Sequence, residues 1–131
     1  MKTSITLAAF AAAVLSMGPA QAQTSKAPPQ AQQCFRTSAI DNYSATDDEK
    51  TLYVRANGGH YFKVDFADRC IGLGFRNRIV IKVTGISNLI CQPTDFDLYI
   101  HDTGMNQRCM VTDLRALTPD EVGALPKKLK P

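Results

Sequence analysis

The sequence has no tryptophan, no cysteine pair at C-x-x-C spacing and little excess of either charge. It also lacks an apolar run of the roughly 18–20 residues that a membrane-spanning helix needs. Fifteen Lys and Arg against twelve Asp and Glu leave a net charge of +3 on 131 residues. A nucleic-acid module concentrates far more positive charge, so that class is excluded. The length allows one domain and leaves no room for a second sizeable core. What is present is a leader-like start, four cysteines and a long stretch of alternating apolar and polar residues.

Residues 1–22 read as a secretory signal peptide. Lys2 supplies the positive start, Ile5 to Leu15 form a short apolar segment interrupted only by Thr6, and Ala20-Gln21-Ala22 has the A-x-A form of a cleavage site. The expected location after cleavage near Ala22 is therefore the periplasm or the exterior. Residues 23–33 (QTSKAPPQAQQ) have no apolar periodicity and carry Pro28-Pro29, as expected of a flexible Pro/Gln-rich linker.

All four cysteines, Cys34, Cys70, Cys91 and Cys109, follow the leader. An even number in an exported chain implies two disulfides. A zinc site would want close pairs two to four residues apart, and the wide spacing here does not supply them. Four cysteines permit three connectivities, among which the sequence does not choose. The likeness of Cys34-Phe-Arg-Thr to Cys109-Met-Val-Thr favours Cys34–Cys109 with Cys70–Cys91, as for two terminal strands brought together.

From Cys34 onward the pattern has period two. Leu52, Val54 and Ala56 alternate with Tyr53, Arg55 and Asn57, and Phe62, Val64 and Phe66 alternate with Tyr61, Lys63 and Asp65. Gly58-Gly59 between them signals a hairpin. Placing both apolar sets on one face predicts Ala56 opposite Phe62 and a three-residue loop Gly58-Gly59-His60. Further strands are expected at Ile79–Val83, Leu89–Cys91, Phe96–Ile100 and Cys109–Leu114. The fold class is thus all-β, a small antiparallel barrel or sandwich of five to six strands spanning residues 34–125. A short C-terminal α-helix closes it: Thr118 is an N-cap, Pro119 suits the first turn, and Glu121 completes a capping box. Residues 126–131, with Lys127, Lys128 and Lys130, are expected to form a frayed basic tail.

Two groups of residues are candidates for chemistry. On the outer hairpin face, Tyr53, Arg55, Tyr61 and Lys63 form a candidate binding face for an anionic envelope glycan or the acidic patch of a cell-envelope protein. The expected register sets Arg55 opposite Lys63 and Tyr53 opposite Asp65. The second group is Asp95, Asp97, His101 and Asp102. Asp97 and His101 share a strand face but lie about 13 Å apart along it, at roughly 3.3 Å per residue, too far to share one ion from a straight strand. Asp47-Asp48-Glu49 lacks the spacing of a calcium loop. Gly72-Leu73-Gly74 is not a dinucleotide fingerprint. No catalytic residue, metal or cofactor is assigned.

The order Cys34, Leu52-Tyr53-Val54, Tyr61, Cys70 with Gly72-Leu73, Cys91 with Asp95, Cys109, and the ending Leu117-Thr-Pro-Asp-Glu-Val-Gly-Ala-Leu125 resembles a family of small exported proteobacterial proteins of unknown function. The resemblance covers residues 34–125. It implies a periplasmic or secreted location and two disulfides, and it brings no catalytic residues. The expectation is a non-enzymatic binding or accessory module of the cell envelope. The alternative is a small hydrolase or metal-dependent enzyme using Asp95, Asp97 and His101.

Overall fold

The computed structural model describes residues 34–75, 78–102 and 104–131. The expected signal peptide and linker lie outside the described residues. Within them the chain is all-β with one short helix and two disulfides. The strands are β1 (Phe35–Arg36), β2 (Ile40–Ala45), β3 (Thr51–Ala56), β4 (His60–Phe66), β5 (Ile79–Val83), β6 (Leu89–Ile90), β7 (Phe96–Asp102), β8 (Met105–Cys109) and β9 (Val111–Ala116), followed by α1 (Pro119–Ala124).

They form three antiparallel ladders, β2-β3-β4-β9, β5-β7-β8 and the short pair β1-β6, which do not close into a barrel. Each turns an apolar face onto one shared core. The four-stranded sheet contributes Leu52, Val54, Phe62 and Val64, the three-stranded sheet Phe96, Leu98 and Ile100, and the short pair Phe35 and Ile90. The Phe35 and Phe62 rings meet at 4.6 Å between centroids. The period-two pattern causes this: successive side chains of a strand point to opposite faces, so each alternating apolar set is buried as a row.

Among the described residues nine strands are present in place of the five to six expected. β1 and β2 are too short or too polar to show alternation. The run expected at Cys109–Leu114 is instead two elements: Cys109 ends β8, and β9 starts at Val111 in a different sheet.

The hairpin corrects the expected register. Ala56 faces His60, Val54 faces Phe62 and Leu52 faces Val64. The loop keeps three residues but they are Asn57, Gly58 and Gly59, because all three adopt positive φ (53°, 73° and 128°). Asparagine tolerates the left-handed region better than most side chains. A shift of two positions leaves the buried face unchanged but gives every outer residue a new partner.

The disulfides also correct the favoured pairing. Cys34 bonds Cys91 and Cys70 bonds Cys109, in place of Cys34–Cys109 and Cys70–Cys91. β1 pairs with β6 rather than with a terminal strand, so Cys34 is carried to Cys91. Ala67 donates its N–H to the Met110 carbonyl at 3.0 Å, which brings the segment after β4, and with it Cys70, to the end of β8.

The C-terminal helix follows the sequence closely. Thr118 Oγ1 accepts the Glu121 N–H, and Glu121 reaches back to the Thr118 N–H at 2.8 Å.

Candidate functional site

The outer face of the four-stranded sheet gathers Tyr53 and Arg55 from β3 with Tyr61 and Lys63 from β4, all half-buried. In the observed register Arg55 faces Tyr61, Tyr53 faces Lys63, and Thr51 faces Asp65. The expected clash of Arg55 against Lys63 is therefore absent. On the β3–β4 ladder each cation instead stands opposite an aromatic ring and has an acidic neighbour, while on the other side Lys63 faces Arg115 of β9. Lys63 Nζ lies 2.7 Å from Asp65 on its own strand, and Arg55 lies 3.9 Å from Asp41. Asp41 is available because β2 bulges there: Ile40 faces Ala56 but Asn42 faces Arg55.

The C-terminal segment crosses this same sheet, and the frayed tail of the sequence reading is corrected. Ser44 Oγ donates to the Leu129 carbonyl at 2.6 Å, and Arg55 Nη1 donates to the Pro131 main-chain oxygen at 3.1 Å. Lys128 pairs with Asp47, and Lys130 Nζ donates to the Gly123 carbonyl. Pro131 is buried. The tail is held because main-chain carbonyls, which need donors whatever the side chain, find Ser44 and Arg55 projecting from neighbouring strands.

The second group does not gather into one site. Asp95 sits at the end of the turn Pro93–Asp95, where its carboxylate accepts the N–H groups of Cys91 (2.8 Å) and Gln92 (3.0 Å). The Cys91 bond is the main reason its pKa is lowered, joined by the Gln92 bonds and partly opposed by burial. Asp97 accepts Arg108 from β8 at 2.6 Å, a bond that raises the arginine's pKa. His101 Nδ1 lies 2.6 Å from Asn106 Oδ1 across the β7–β8 ladder. His60 opens β4 and His101 lies on β7, in different sheets. Among the described residues no three His, Cys, Asp or Glu are placed to hold a metal ion, and no helix is long and apolar enough to cross a membrane.

Sequence reasoning missed Glu49. It adopts positive φ (54°) in the β2–β3 turn. Its carboxylate accepts the Arg69 Nε and the Gly72 N–H, both at 2.8 Å, while its carbonyl accepts the Cys70 N–H. Burial alone would raise its pKa, but the bonds from Arg69 and Gly72 together outweigh burial and lower it. This side chain clamps the segment carrying Cys70 onto the turn. The acidic run 47–49 was its only sequence signal, and nothing local shows that Gly72 comes near.

Comparison with known proteins returns one family. A family model described as a family of unknown function, DUF6491, matches residues 1–130. No curated protein and no solved structure matches the chain.

Proposed function

The chain belongs to DUF6491, a family of unknown function, so its role must be read from its own residues, and we propose that it is an exported, non-enzymatic binding module of the cell envelope that takes an anionic glycan on the outer face of its four-stranded sheet. The observation that carries this reading is Arg55, half-buried beside Tyr61, with its guanidinium already turned onto an oxygen of a chain segment lying over the sheet. Tyr53 and Tyr61 offer ring surface to sugars, and Lys63 adds a second cation. The two disulfides support an oxidising compartment, hence cleavage near Ala22 and a periplasmic or secreted product. Asp95, Asp97 and His101 each bond to a different partner and do not converge on one site, which favours binding over the hydrolase or metal-enzyme alternative.

The test uses dextran sulfate as the anionic polysaccharide probe and reads affinity by calorimetry at two salt concentrations. Binding should weaken with salt, because the contacts are ionic, and fall at least tenfold in the Arg55→Gln/Lys63→Gln variant. Affinity left unchanged by that double substitution would overturn the assignment of this face.

A further inference from the structure

Among the described residues the two larger sheets end in four strands, and three of these are guarded. β2 bulges at Asp41, β9 carries Asp113 and Arg115 with its own bulge at Thr112, and β8 reads Met-Asn-Gln-Arg-Cys. Charges and bulges are the usual means by which an edge strand avoids pairing with another chain. β5 has almost none of this protection. It reads Ile79-Val80-Ile81-Lys82-Val83, four β-branched apolar residues with a single charge.

The hydrogen-bond phase of β5 follows from its flanks. His101 donates to the Arg78 carbonyl at 2.7 Å, and Thr84 donates to the Asp95 carbonyl at 2.7 Å, in the same register that sets Ile79 opposite Ile100. Bonded and non-bonded pairs alternate in an antiparallel ladder. Val80 and Lys82 therefore bond to β7, while the main-chain groups of Ile79, Ile81 and Val83 point away from the sheet. Burial agrees with an open edge. The inward row of β7 is fully buried, but Ile79, Ile81 and Val83 are only half-buried. Among the described residues Val80 on this strand is an exposed large apolar side chain, as are Ile71 and Phe75 before it in sequence and Ile86 after it.

We propose that β5 is a homodimerisation strand, pairing antiparallel with β5 of a second copy about a two-fold axis at Ile81 to form one continuous six-stranded sheet. The strand is complementary to itself in that register. Ile81 meets Ile81, and Ile79 meets Val83, in the phase where both partners' free N–H and C=O groups face one another. Apolar residues then continue the inner row across the junction. On the outer face Val80 meets Lys82, so no two like charges stand directly opposite. Lys82 already lies over the Tyr99 ring at 5.0 Å and faces Asp97 across its own sheet, which relieves its charge at the junction. An acidic extended peptide is the competing occupant, and it would leave the free protein monomeric.

The register makes a specific test with the full exported protein, disulfides intact, by analytical ultracentrifugation over a concentration series. The wild type should associate to a dimer. Val80→Lys places lysine against Lys82 of the other copy and should weaken the dimer at least tenfold. Val80→Glu places a carboxylate there and should tighten it several-fold. The double variant Val80→Lys/Lys82→Glu puts opposite charges across the junction and should associate more tightly than Val80→Lys alone. Thermal melts of each variant establish that the fold is retained, Val80 being exposed. A wild type that stays monomeric throughout the series overturns the proposal. So does a dimer that responds identically to lysine and glutamate at position 80.

Discussion

Cys34 and Cys91 stand directly opposite one another, one step beyond the Phe35–Ile90 pair, with 4.3 Å between their Cα atoms. The bridge thus extends a ladder of only two residue pairs, too short to persist alone. The two disulfides interleave: Cys70 lies inside the loop closed by Cys34–Cys91, and Cys91 lies inside the loop closed by Cys70–Cys109. Each bridge therefore constrains the part of the chain that the other closes.

The bridges span 57 and 39 residues, for which chain-entropy reasoning gives about 4 kcal/mol each before native-state strain is counted. Cys34→Ala/Cys91→Ala should lower the unfolding free energy by about 2–4 kcal/mol in denaturant titrations. It should also raise hydrogen exchange most at β1 and β6. Peptide mapping without reduction should recover Cys34 linked to Cys91 and Cys70 linked to Cys109. Recovery of Cys34 linked to Cys109 would reject this connectivity.

Glu49 should make stability pH-dependent. Its folded pKa lies below the ordinary value of 4.5, so its contribution is complete above that value. It is then lost as pH falls through the lower folded pKa. Glu49→Gln removes the charge that Arg69 and Gly72 bind, and should cost about 1.5–3 kcal/mol at pH 7, the range for hydrogen bonds to charged groups. The gap between the two proteins should shrink as pH drops from 4.5 toward 2. A gap that stays constant over that range would show that the loss in Glu49→Gln does not come from the carboxylate's charge.

What the sequence revealed was face, and what it concealed was partner. Alternation assigned Leu52, Val54, Phe62 and Val64 to the core because side-chain direction depends only on a residue's own strand. The capping box at Thr118 and Glu121 was legible for the same reason, since both residues belong to one turn. Which residue sits opposite which depends on loop conformation and on the rest of the chain. The hairpin therefore slipped by two positions, and Cys34 found Cys91. Asp95 stood out as a carboxylate near a histidine, but its use is local, in the turn that starts at Gln92. Tyr53, Arg55, Tyr61 and Lys63 share the hairpin's outer face because alternation sets it, whereas the tail lying across its sheet depends on Ser44 meeting Leu129, 85 positions away.

Gly59 and Gly72 should separate two costs of adding a single methyl group. At Gly59, φ is 128° and an added Cβ meets nothing within 4 Å, so Gly59→Ala should cost only backbone strain, about 1–3 kcal/mol. At Gly72, φ is 92° and the Cβ would lie 3.1 Å from Ile100 Cγ2, so a steric cost adds to the strain. Gly72→Ala should therefore be the more destabilising variant in thermal or chemical unfolding. The reverse order would mean that the loop carrying Cys70 yields more readily than the hairpin turn.

The tail contacts differ in kind, and substitution should expose the difference. Ser44 holds the Leu129 carbonyl from a half-buried strand position, whereas Lys128 and Asp47 meet with side chains 63% and 84% exposed. Exposed ion pairs of long side chains contribute little, since solvent and salt screen them and ordering them costs entropy. Ser44→Ala should therefore loosen the tail by about 1 kcal/mol, the worth of one neutral hydrogen bond. That corresponds to a roughly fivefold faster exchange of the Leu129 amide, which is protected by its bond to Pro126 within the docked turn. Lys128→Ala should leave that exchange unchanged. The opposite result, with Lys128 governing the amide and Ser44 silent, would mean that surface charge rather than main-chain hydrogen bonding holds the segment across the sheet.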